Sequence, residues 1–91
     1  MATAGWRVEF DRAAARDLRK LGAEAEQRVL KYLRERIAGA QDPRRLGHAL
    51  TGDRKGLWRY RVGDYRIVAS IEDDRFVVLV VTVGHRREVY R

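Results

Sequence analysis

The sequence predicts an α+β fold in which two helices cover one face of an antiparallel sheet. Three observations predict it. After one short strand pattern, the first half repeats apolar residues at helical spacing. The second half alternates with period two, or runs almost unbroken through apolar residues. Helices also precede the main strands instead of alternating with them. The expected order is an N-terminal strand, a helical hairpin, and a meander of three antiparallel strands with the helices packed on one face.

Trp6-Arg7-Val8-Glu9-Phe10 alternates with period two, so it is expected as a strand with Trp6, Val8 and Phe10 facing inward. Asp11 fits the N-cap of a first helix from about Arg12 to Leu21, with Ala14, Leu18 and Leu21 on one face and Gly22 as its stop. A second helix is expected from about Ala23 to Ala38. Its stripe of Val29, Leu30, Leu33 and Ile37 lies opposite Glu24, Arg28, Lys31 and Glu35, as a core-facing helix requires. Gly39 to Gly56, with one proline and four glycines, reads as a loop with room for one helical turn near Arg45 to Leu50. That loop is long enough to suspect function. It holds His48, where a lone histidine is ordinarily just solvated. Strands Leu57–Val62 and Tyr65–Ile71 flank Gly63-Asp64, a two-residue hairpin signal, and a turn at Asp73-Asp74 leads into a strand from Phe76 to Val83.

A chain of 91 residues is expected to form one domain over residues 1–91. No apolar run reaches the roughly 18 residues of a membrane span, and the first residues lack the apolar core of a signal peptide. With no cysteine there is neither a disulfide framework nor a thiolate metal site, so a soluble cytoplasmic protein is expected. The net charge is +7, and 17 of the 20 basic residues are arginine, which binds phosphate bidentately and stacks on bases. Seven basic and two acidic residues lie between Arg44 and Arg66, so the excess gathers around the first hairpin.

If Val62 pairs with Tyr65 across that hairpin, Arg61 stands directly opposite Arg66, with Arg59 two residues back on the same face. The other face carries Trp58, Tyr60, Val62, Tyr65, Ile67, Ala69 and Ile71, for the helices to cover. Opposed like charges destabilise a sheet. The arginines either spread into solvent and pair with Asp64, Glu72 or Glu88, or hold an anionic ligand. Gly84 is expected to let the chain leave the sheet, delivering His85, Arg86, Arg87 and Tyr90 to the same place, so that Arg59, Arg61, Arg66, Arg86 and Tyr90 converge. The alternative for this ending is a frayed basic tail.

Two stretches carry a family resemblance: Leu57-Trp58-Arg59-Tyr60-Arg61-Val62-Gly63-Asp64-Tyr65-Arg66-Ile67-Val68 and Thr82-Val83-Gly84-His85-Arg86-Arg87-Glu88-Val89-Tyr90. With the element order, which spans nearly the whole chain, they resemble a RelE toxin of the RelE/ParE superfamily. The resemblance implies the RelE-like microbial RNase fold and a toxin that cuts messenger RNA in the ribosomal A site until a cognate antitoxin neutralises it. It implies no metal and no cofactor. By position, Arg59 and Arg61 match the family's paired basic residues, Arg66 its hairpin arginine, Arg86 the arginine after the last strand, and Tyr90 the tyrosine that orients the cleaved nucleotide. Arg61, Arg66, Arg86, Tyr90 and His85 are thus the expected catalytic set, and Arg59, Arg45, Arg54, Lys55 and Arg87 the expected RNA-binding cations.

Relatives often have lysine where this chain has Arg59 and Arg61. Arginine effectively cannot give up its proton, which makes His85 the expected general base unless the ribosome makes a strong base unnecessary. The spacing from Arg86 to Tyr90 is also shorter than in some relatives. Two other functions stay open. One is a ParE-like toxin that poisons DNA gyrase by binding; the other is an inactive, antitoxin-bound regulator of its own promoter.

Overall fold

The alternating segment at the start folds into strand β1, Arg7–Phe10, in a computed structural model that describes residues 5–85. Helix α1 spans Arg12–Lys20 and α2 spans Ala23–Tyr32. A two-residue strand β2, His48–Ala49, precedes β3 (Leu57–Val62), β4 (Tyr65–Glu72) and β5 (Val77–His85). Among the described residues the sheet has five strands in the order β1-β5-β4-β3-β2, with β1 parallel to β5 and every other pair antiparallel. The apolar run is therefore central, flanked by β1 and β4, which is why Val77, Val78 and Val80 can all be fully buried.

Local chemistry sets the helices. The Asp11 carboxylate accepts the Ala14 backbone N–H at 2.8 Å, the expected N-cap, and Gly22 turns the chain at φ 95° between α1 and α2. Ala14 and Leu18 of α1 join Val29, Leu33 and Ile37 against the sheet. Residues four apart advance about 40° per step on an α-helix. Here the chain widens instead into a π-helical turn at Leu33–Ile37, with the Ala38 N–H bonded to the Leu33 carbonyl, and this keeps Val29, Leu33 and Ile37 all facing the core. No helix among the described residues is long and apolar enough to cross a membrane.

The 62–65 hairpin has the expected register, with positive φ confined to Gly63, the pattern of a type II′ turn. Four details differ from expectation. The loop before β3 contains strand β2, which two residues are too few to announce by any periodicity. Its helical turn comes earlier, at Pro43–Leu46 instead of Arg45 to Leu50. Phe76 sits in the turn before β5 at φ 53°, half exposed against Trp6, with ring centroids 5.2 Å apart. Gly84 does not let the chain leave the sheet: β5 continues through it to His85, because β4 still offers Arg66 and Tyr65 as partners.

A β-bulge decides which side of the sheet the end of β5 presents. Val68 pairs with Thr82 but Ala69 with Val80, so Val81 has no partner. Alternation from Val78 and Val80 would continue to residues 82 and 84. The extra residue instead turns Val83 and His85 to the helix side and Thr82 and Gly84 to the other. At this point β1 has ended, and α1 takes over the open edge, the Asp17 carboxylate accepting the Val83 N–H at 3.4 Å.

A strap closes the other end. The Tyr60 hydroxyl, buried under the helices, donates to the Pro43 carbonyl at 2.6 Å. Arg44 pairs with Asp42 and Asp73 and lies 5.8 Å over the Trp58 ring. Burial, with the nearby Tyr32, holds the Tyr60 hydroxyl protonated well above its usual range. The Asp42 carboxyl is lowered chiefly by the Arg44 backbone N–H. Its contribution is therefore complete above the unfolded carboxylate pKa of about 3.9 and is lost as pH falls through the lower folded value.

Tyr60→Phe removes the donor to a buried carbonyl and should cost about 1–3 kcal/mol in urea unfolding, with an unchanged m-value. A cost near zero would mean that the strap does not hold the loop.

Candidate functional site: the arginine face

Strand alternation sorts β3 and β4 into two faces, and the face away from the helices collects the cations. Two rows cross it. In one, Arg61 stands opposite Arg66, which stands opposite Gly84. In the next, His48 stands opposite Arg59, then Val68, then Thr82. Strands lie about 4.8 Å apart and the rows roughly 7 Å apart, so three guanidinium groups and one imidazole spring from a patch roughly 15 Å across.

Exposure grades across the patch. Arg61 is exposed, Arg59 intermediate, and Arg66 only 8% exposed, the one charged residue buried among the described residues. Gly84 leaves no side chain across the strand from Arg66 on the β5 side. A cation withdrawn from water attracts an anion more strongly than an exposed one, because the local dielectric is lower. Val68 is fully buried in the same face. Guanidiniums side by side, one buried and others exposed, are chemically able to bind a phosphate bidentately.

The other expected site residues divide. Arg45 is exposed on the Pro43–Leu46 turn, and Arg54 and Lys55 are exposed at the Gly52–Arg54 turn before β3. These three cations therefore sit on the turns that lead into β2 and β3. Arg86, Arg87 and Tyr90 lie outside the described residues. His85 is where expectation and structure part. It pairs with Tyr65, their rings in edge contact at 6.0 Å, beside a hollow of about 340 Å³ lined by Asp17, Lys20 and Leu21 of the α1 end. The bulge at Val81 has put it on the helix side, across the sheet from Arg61 and Arg66.

His48 is the residue that sequence reasoning passed over. Its strand is too short for a periodic signal, and only the pairing of β2 with β3 shows that it shares a face with Arg59.

The family model described as the ParE toxin of the type II toxin–antitoxin system parDE matches residues 8–90. The chain is 34% identical over 86 residues to the toxin RelG of Mycobacterium tuberculosis, a match covering 92% of this chain and 94% of that protein. It is 33% identical over 87 residues to the mRNA interferase toxin RelE of Escherichia coli, covering 91% and 87% of the two. In structure it is similar to the toxin of the RelBE2 toxin–antitoxin complex of Mycobacterium tuberculosis, with a TM-score of 0.84 at 28% identity, covering 96% of this chain and 98% of the other.

Arg61→Ala should weaken binding of a short RNA several-fold at low salt and lower the slope of log affinity against log salt by about 1. Arg19→Ala, on the exposed side of α1, should leave both unchanged. Equal slopes for the two variants in a fluorescence-anisotropy titration would remove the arginine face as the RNA-binding surface.

Proposed function

The chain belongs to the ParE toxin family of type II toxin–antitoxin systems and is a RelE-type toxin, and from that premise we propose that it is an endoribonuclease that cuts messenger RNA in the ribosomal A site. Its fold is the RelE-like one that the sequence led us to expect. The observation that carries the proposal is the direct opposition of Arg61 and Arg66 on the face away from the helices, with Arg59 beside them. A sheet gains nothing from that pairing, whereas a phosphate bridging two guanidiniums turns repulsion into attraction.

In the proposed reaction the 2′-oxygen of one nucleotide attacks the adjacent phosphorus, and the 5′-oxygen of the next leaves, giving a 2′,3′-cyclic phosphate and a 5′-hydroxyl. Arg61 and Arg66 hold the phosphate and offset the negative charge that builds on it in the pentacoordinate transition state. Arg86 sits at the leaving oxygen and hydrogen-bonds the negative charge that develops there, and Tyr90 stacks on the splayed base, at the positions the family resemblance assigns to the site. Arg59, with Arg45, Arg54, Lys55 and Arg87 flanking, guides the RNA strand in. So few groups able to move a proton suit an enzyme that depends on the ribosome to orient its substrate, and its site of action is then the cytoplasm.

A cognate antitoxin is the proposed protein partner, supported by the likeness to a toxin solved within a toxin–antitoxin complex. A second reading is favoured by the name of the matching family: ParE-like toxins poison DNA gyrase by binding.

Primer extension on a defined messenger with stalled ribosomes should show cuts in the A-site codon, at least about 100-fold weaker with Arg86→Ala, the scale of losing one donor that stabilises transition-state charge. A folded protein that makes no cuts, yet inhibits gyrase supercoiling in a parallel assay, would replace the nuclease reading by the gyrase one.

A further inference from the structure

We infer that His48 is the group that accepts the 2′-hydroxyl proton in this cleavage, an assignment that rests on the nuclease reading above. The chain has two histidines, and the sheet separates them. His85 stands with Tyr65 on the helix side, whereas His48 stands directly opposite Arg59 on the arginine face. Directly opposed residues of an antiparallel pair project from the same side of the sheet with Cβ atoms about 5 Å apart. Arg61 follows Arg59 on that face roughly 7 Å further along, opposite Arg66. A phosphate held by Arg61 and Arg66 therefore has Arg59 and His48 on one flank, within the combined reach of the side chains and one ribose.

Chemistry selects His48 from that group. The other ionisable groups of the patch among the described residues are guanidiniums, which cannot accept a proton, while an imidazole can do so near neutral pH. β2 is the edge strand of the described sheet and His48 is exposed, so a nucleotide can approach it from outside the sheet. β3 is the strand paired with β2, and on this face it presents Arg59 and Arg61 and no carboxylate that could tie the imidazole up. Glycine at 47 lets the backbone before His48 lie close on β3 without displacing its neighbours: a side chain there would meet the Tyr60 ring at 3.0 Å and the Arg59 carbonyl at 3.3 Å. The strap through Pro43 and Tyr60 anchors the same segment from the helix side.

The proton balance is simple. As the 2′-oxygen bonds to phosphorus, its proton passes to His48. The bond from phosphorus to the 5′-oxygen breaks, and that oxygen takes a proton from water as His48 releases one to water.

Single-turnover cleavage on stalled ribosomes, compared for wild type, His48→Gln and His85→Gln from about pH 5.5 to 8, tests the assignment, with ribosome binding of each protein measured by co-sedimentation. The expected result is a rate for His48→Gln lower by about 100-fold or more, with binding unchanged and the acid limb of the wild-type pH profile gone, and a smaller loss for His85→Gln. Because His48 is exposed on a two-residue edge strand, replacing it leaves the core intact, and a matching unfolding curve checks this. Wild-type rate in His48→Gln, a loss no larger than that of His85→Gln, or a loss tracking weakened binding would each overturn the assignment. Absence of cuts with wild-type protein would instead overturn the nuclease reading, and the assignment with it.

Discussion

The burial of β5 is the constraint on which the rest depends. A strand so apolar must have neighbours on both edges and a cover over its face. β1, β4 and α1 supply them, even though β1 and β5 are separated by most of the chain. Each fully buried valine contributes roughly 1.5 kcal/mol or more. Three of them outweigh the opposition of Arg61 and Arg66, which costs between a few tenths and about 1 kcal/mol. The sheet can therefore carry an unfavourable charge pair on its far face without losing its register.

Charge is organised by commitment as much as by number. Of the basic residues between Arg44 and Arg66, Arg44 is taken by Asp42, Asp73 and Trp58 and works as a structural tie. Arg66 is buried, Arg59 and Arg61 stand beside it, and Arg45, Arg54 and Lys55 remain on exposed turns. The strap built on Arg44 and Tyr60 holds the segment that forms β2, so the tie on the helix side sets what the edge of the arginine face presents.

The hairpin and its arginine pair were legible in the sequence because strand parity and a two-residue turn leave one register. The Asp11 cap, the Gly22 stop and the stripe of Val29, Leu33 and Ile37 were legible for the same reason: each is dictated by residues within one or two turns of chain. Phe76 was misplaced by hydrophobicity, which does not distinguish a strand residue from one packed in a turn. The π-helical turn was hidden because its cause is the sheet beneath it.

His48 and His85 divide what the sequence determined from what only the tertiary structure decided. Sequence alone determined the residue types, the α+β order and the opposition of Arg61 to Arg66, all consequences of local periodicity. Which histidine shares their face was decided by two long-range pairings: β2 against β3, and β5 against β4 with one extra residue at Val81. A bulge reverses the facing of every residue beyond it, and a two-residue strand has no period of its own. The physical reason is the same for both: backbone hydrogen bonds to a distant strand set the facing of these side chains, and nothing in the neighbouring residues encodes it.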